Sequence, residues 1–154
     1  MITVLYTNSD AILACAGMTS EDVSDAFVTA RALPKILSVD LYEWLPTHED
    51  VYLSDGDSAT TDERYKSDCL VLWCNYYAAS RLLEAALTIK QRETDGKNEF
   101  ERFTTPELGK LAEEAKRMAG VYRQKLLVAL AQADVASPIQ TMGLVVPNYD
   151  PVTG

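Results

Sequence analysis

Chemically versatile residues are scarce in this chain. There is one histidine, His48, set in the polar stretch "LPTHEDVYL", and no serine or cysteine occurs in an identifiable nucleophile motif around which it could act as a base. The three cysteines, Cys15, Cys69 and Cys74, form an odd set with neither metal-ligand nor secretory spacing. On a helix, the five-residue step from Cys69 to Cys74 is about 500° of rotation, which puts the two on different faces. They read as reduced thiols, buried or partly buried, because free cysteine is among the most buried residue types. The seven glycines are scattered and form no loop that would let backbone approach a phosphate. No apolar run approaches the roughly 18 residues that a membrane span requires. The opening "MITVLYTNSD" has neither a basic segment nor a long apolar one, so the expected location is the cytoplasm or something assembled there.

Lysine and arginine are also scarce in the first part of the chain. Residues 1–63 hold two basic side chains, Arg31 and Lys35, against twelve acidic ones, and so account for the whole net charge of −9. Phosphate neutralisation needs clustered cations, so this part repels nucleic acid. It is either a solvated face or a negative surface turned toward a basic partner, or toward DNA that slides past without adhering. "DGDSATTDE" at 55–63 fails the calcium-loop pattern: Asp55 and Asp57 suit its first and third positions, but Ala59 and Thr60 occupy the fifth and sixth. The carboxylate pairs Glu21-Asp22 and Glu113-Glu114 fall on predicted solvent faces of helices. With no nucleophile, base and oxyanion site assembled, the expectation is a protein that is not an enzyme and uses no cofactor or metal.

Helical periodicity is abundant. With 47% hydrophobic and 24% charged residues, the 154-residue chain suits a single helical domain. A first helix is predicted to start at Asn8 or Ser9 and stop at Gly17. A second is predicted to start at Thr19, paired with Asp22 as a short capping box, and to end near residue 32 ahead of Pro34. "PKILSVDLYEWLP" fits either a helix face or a strand alternation, with a short helix favoured. "THEDVYLSDGDSATTDE" reads as a polar connection containing an extended piece at Val51–Leu53. From Thr61 to Glu93 there is neither glycine nor proline, and Cys69, Leu72, Trp73, Tyr76, Ala79, Leu83, Ala86 and Leu87 form one buried stripe. A second long helix is predicted from "TTPEL", with Thr105 as cap, to about Asp134, its stripe running Leu108, Leu111, Ala115, Met118, Tyr122, Leu126, Ala129. The two should form an antiparallel hairpin, with the shorter N-terminal helices covering one end.

Two stretches remain. In "LWCNYYAASRLL" at 72–83, the adjacent Tyr76 and Tyr77 cannot both face one seam, so one of them is expected to point to a second partner surface. "TMGLVVPNYDPVTG" at 141–154 is apolar and proline-containing, with Asp150 as its only charge. That composition suits a segment lying extended along another protein, with alternate side chains in pockets. The expected organisation is a helical domain over 1–136 and an extended partner-binding tail over 137–154.

The order of "SDAILACAGMTSEDVSDAFVTARALPKIL", "YKSDCLVLWCNYYAASRLLEAALTIKQRETDGKNEFERF", a second long helix and "VVPNYDPVTG" resembles the head-to-tail adaptor (connector) proteins of tailed bacteriophages, most nearly those of short-tailed phages. The likeness is one of layout over nearly the whole chain, in a family without a catalytic signature. It implies a structural virion protein at the head-tail junction: a dodecameric ring under the portal protein, with a tail or nozzle protein on its far side and DNA passing through the lumen without specific binding. It assigns portal contact to Leu144, Val145, Val146, Pro147, Tyr149, Asp150, Pro151 and Val152. Ring contacts fall on exposed parts of the long helices, with Tyr76, Tyr77, Arg81 and Tyr122 as candidates. The chain extends further beyond its second long helix than the smaller adaptors of long-tailed phages. A helical regulatory or scaffold domain that binds one partner through its tail is the alternative.

Overall fold

The computed structural model describes residues 3–23, 25–28, 32–92 and 103–135. The chain is mainly helical, and it is built around a long antiparallel hairpin of α5 (Thr61–Arg92) and α6 (Thr105–Val135). Preceding them are β1 (Thr3–Val4), β2 (Thr7–Asn8), α1 (Ser9–Ala16), α2 (Asp25–Val28), α3 (Ala32–Trp44) and α4 (His48–Leu53). The two short strands pair antiparallel across Leu5 and Tyr6, with Leu5 in the left-handed region at φ 41°, a ribbon that the periodicity did not predict.

The first helix follows its sequence signals. Asn8 adopts extended backbone, and its Oδ1 accepts the Ala11 amide at 3.0 Å. Gly17, at φ 69°, ends the helix in the left-handed conformation that a side chain resists. Thr19 and Asp22 do interact: the Thr19 amide and hydroxyl donate to the Asp22 carboxylate at 2.8 and 2.9 Å. Those bonds close a turn and do not launch a long helix.

Pro34 corrects the predicted boundary. The helix expected to end near residue 32 is replaced by the short α2 and by α3, which begins at Ala32 and carries Pro34 in its first turn. A proline there loses nothing, since first-turn amides have no intrahelical acceptor. Leu33, Leu37, Leu41 and Leu45 then recur every four residues and are all buried, which resolves the helix-or-strand ambiguity in favour of helix. The expected extended piece at Val51–Leu53 is helical as well. It belongs to α4, with Glu49 and Asp50 in the first turn, where the helix dipole favours negative charge.

Both long helices begin with the same device. Thr60 and Glu63 form a reciprocal capping box: the Thr60 amide donates to Glu63 at 2.7 Å and the Glu63 amide donates to Thr60 Oγ1 at 3.2 Å. Thr104 and Glu107 repeat it at 2.7 and 3.4 Å, so the cap of α6 is Thr104, one residue before the Thr105 expected from "TTPEL".

The 32 residues of α5 rise about 48 Å. Its buried side chains include Cys69, Leu70, Trp73, Cys74, Ala78, Ala79, Leu82, Leu83 and Ala86, and α6 answers mainly with Leu108, Ala112, Ala115, Ala119 and Leu126. Small alanines on α6 let the bulkier face of α5 come close. The N-terminal elements pack along the middle of α5 and do not simply cover an end. Thr7 Oγ1 donates to Asn75 Oδ1, with both side chains buried, and Trp44 meets Trp73 edge to face at 5.1 Å.

Candidate interaction site

The strongest concentration of chemistry lies where α3 crosses the hairpin. Asp40, Glu43 and Trp44 of α3 face Trp73, Tyr77 and Arg81 of α5 and Lys116, Ala119, Gly120 and Arg123 of α6 across a groove of about 610 Å³. Trp73 and Tyr77 are one helical turn apart, and their rings stack at 4.8 Å and 9°. The Arg123 guanidinium lies 4.9 Å above the Trp44 ring, and that of Arg81 lies 5.3 Å from the Tyr77 ring. Trp44 Nε1 is buried with no hydrogen-bond partner.

Tyr77 holds this crossing together. Its hydroxyl donates to Asp40 Oδ2 and accepts from Arg81 Nε at 3.2 Å, while Arg81 also pairs with Asp40 at 3.7 Å and Glu84 at 3.3 Å. Burial, followed by the bond to the Asp40 carboxylate, pushes the Tyr77 phenol above its ordinary range, and Arg81 partly offsets this. The group therefore stays protonated and able to donate.

Tyr76 points elsewhere, as adjacent positions on a helix must. It stacks on Tyr122 of α6 at 5.7 Å and 12°, and Lys125 sits 5.0 Å above the Tyr122 ring. Burial raises the Cys15 thiol, and a hydrogen bond with Tyr76 partly offsets that. The second surface expected for one of the two tyrosines is thus α3 of the same chain. Of the four ring-contact candidates, Tyr77 and Arg81 meet at the groove, Tyr76 and Tyr122 meet in the hairpin seam, and only Arg81 among them is exposed.

His48 departs from the expectation of a polar loop. It is buried at the start of α4, and its Nδ1 lies 2.6 Å from the Tyr6 hydroxyl. The Tyr6 ring in turn stacks on Tyr52 at 4.3 Å. Burial is the main reason that the Tyr6 phenol is pushed up to about 12. The signal for this contact was the aromatic at position 6, but nothing in the sequence linked it to a histidine 42 residues away. Cys69 and Cys74 are both buried, and burial pushes the Cys74 thiol up to about 12, far from a reactive thiolate.

Charge is divided between two stretches of the sequence. Residues 36–63 contain eight acidic side chains and no lysine or arginine, while residues 115–133 contain Lys116, Arg117, Arg123 and Lys125 and no acid. The two meet at the groove, where Asp40 and Glu43 face Lys116 and Arg123. Exposed apolar groups include Tyr52 and Leu53 on α4 and Leu127 and Val128 on α6. The portal-contact candidates Leu144 to Val152, and the domain boundary at 136/137, lie outside the described residues. Among the described residues, no helix is long and apolar enough to cross a membrane. In comparisons with protein families, curated proteins and solved structures, the chain matches no family model, no curated protein and no solved structure.

Proposed function

We propose that this chain is a non-enzymatic assembly component: a head-to-tail adaptor that forms a ring, of dodecameric type, under the portal of a tailed phage. The ring would join the capsid to the tail or nozzle protein and let DNA pass, at a head-tail junction assembled in the host cytoplasm. The observation that carries the reading is how the polar side chains are used. Thr7 with Asn75, Tyr6 with His48, and Asp40 with Tyr77 and Arg81 each tie one helix or strand to another, which makes a stiff body. Exposed apolar side chains stand on α3, α4 and α6, among them Val39, Leu53 and Val128, as on a part held between neighbours. The acidic stretch 36–63 suits a flank of the DNA path, where repulsion prevents adhesion. The apolar segment Leu144–Val152 supplies the portal contact.

Co-sedimentation of the full chain with phage portal rings tests this. The full chain should pellet with the rings. A chain truncated after Asp134 should keep its helical circular dichroism and stay in the supernatant. A full chain that remains monomeric both alone and with the portal would overturn the adaptor reading in favour of the regulatory or scaffold alternative. Loss of helix content on truncation would show instead that the segment packs on its own body.

A further inference from the structure

We propose that Asp55 is a self-modification site: its side chain cyclises onto the Gly56 amide and reopens as isoaspartate, a covalent change that needs no partner but water. The site is independent of the adaptor reading.

The reaction needs an aspartate outside a helix, an unengaged amide after it, and little bulk around that amide. Glycine suits the second position because it has no Cβ to crowd the attacking nitrogen. Inside a helix the dihedrals are fixed and each amide is held by the carbonyl four residues back, so the ring cannot close. Asp55-Gly56 meets every condition. It lies between α4 and α5, and both residues are exposed. Among the described residues, nothing accepts the Gly56 amide proton. A Cβ built at Gly56 would meet no atom within 4 Å, so the space around the nitrogen is open. The Asp55 carboxylate is paired with Arg64 at 4.0 Å, and at 41% side-chain exposure such a surface pair holds it weakly.

Other acids and amides are held back. The Asn8 carboxamide is tied to the Ala11 amide as the cap of α1, and Asn75 is buried in α5 with Thr7. Asp22 is bonded to Thr19 and followed by the β-branched, buried Val23. Asp57 is exposed, but Ser58 after it carries a Cβ. Asp95-Gly96 lies outside the described residues.

The Gly56 nitrogen attacks Asp55 Cγ and forms the N–Cγ bond of a succinimide. The Cγ–OH bond breaks, and the hydroxyl leaves with the amide proton as water. Water then adds to either ring carbonyl and breaks its bond to nitrogen. Opening at Cγ restores aspartate, and opening at the main-chain carbon gives isoaspartate. Nothing is oxidised or reduced. The main chain gains a methylene, and the carboxylate is left directly on Cα, drawn back from Arg64. Both neighbouring helix ends have their own bonds, Ser54 amide to Asp50 carbonyl at 3.0 Å and the Thr60–Glu63 box, so the change stays local.

The test incubates the folded full chain for weeks at neutral pH and physiological temperature. Peptide mass spectrometry, with fragmentation that separates isoaspartate from aspartate, then reads position 55. Isoaspartate should accumulate there, with a minor species lighter by one water, while helical circular dichroism is kept. Gly56→Ala, placed in open space, should keep the same spectrum and form isoaspartate about tenfold more slowly. Asp55→Asn should pass through the same ring faster, losing ammonia in place of water. A folded chain that reacts at 55 over about tenfold more slowly than the chain unfolded in urea would show that the fold protects the site, and would overturn the proposal. So would an unchanged rate in Gly56→Ala, an unmodified Asp55→Asn, or isoaspartate appearing first at Asp57.

Discussion

The two long helices differ by one residue in length, 32 against 31, yet α5 is enclosed and α6 is half bare. In the middle of α5, Trp73, Cys74 and Asn75 are buried in succession, and so are Ala78, Ala79 and Ser80, which takes burial right around the helix. On α6, the buried Leu108, Ala112, Ala115, Ala119, Leu126 and Ala129 keep to one side, and Arg117, Gln124 and Leu127 on the other side are exposed. An enclosed helix can hold polar groups only if they find partners, as Asn75 does in Thr7. A half-exposed helix carries its surface free for other molecules. The central helix therefore organises the fold, and the outer one is available for contacts.

The contrast can be broken first at α5. Leu83→Ala, at a fully buried site, should cost about 2–5 kcal/mol in urea unfolding, since the surrounding helices cannot close over the cavity. Alkaline titration reads the same enclosure. Cys74 is pushed from 9.0 to about 12 by burial, so the folded chain keeps a proton that the unfolded chain gives up. Its contribution should be fully present below about pH 9 and be lost as pH rises toward 12, and Cys74→Ala should flatten that slope in stability-against-pH curves. At the start of α6, Thr104→Ala removes the capping box and should cost about 1 kcal/mol by thermal unfolding. Leu127→Ala, on the bare face, should change stability by less than about 0.5 kcal/mol in the same assay. A loss at Leu127 comparable to that at Leu83 would mean that α6 is covered within its own chain.

Much of this was legible in the sequence where the signal was local. The hairpin, the Asn8 and Gly17 caps, and the stripe of α6 follow from short-range rules that need no partner. The stripe drawn for α5 was too narrow, because it assumed one buried side. It left out Leu70, Cys74 and Ala78, which are fully buried as well. Pro34 misled because proline both ends helices and starts them, and what decides is whether the next turn has a buried face. His48 was read as loop and Val51–Leu53 as an extended piece because six residues are too few to show a period. The groove was the least legible. Its parts come from three helices, and although each helix offers its share at helical spacing, as Trp73, Tyr77 and Arg81 do on α5, nothing in the sequence says that the three shares meet.

The two threonine-glutamate boxes sit at opposite ends of the antiparallel pair, because each marks the start of its own helix. Helices under load tend to fail by unravelling from their ends, and here each end of the rod has one helix whose first turn is tied shut. A push or twist applied at either extremity therefore meets a fastened terminus before it reaches the core. Each box is worth about 1 kcal/mol, so both ends of the pair hold one first turn that resists fraying.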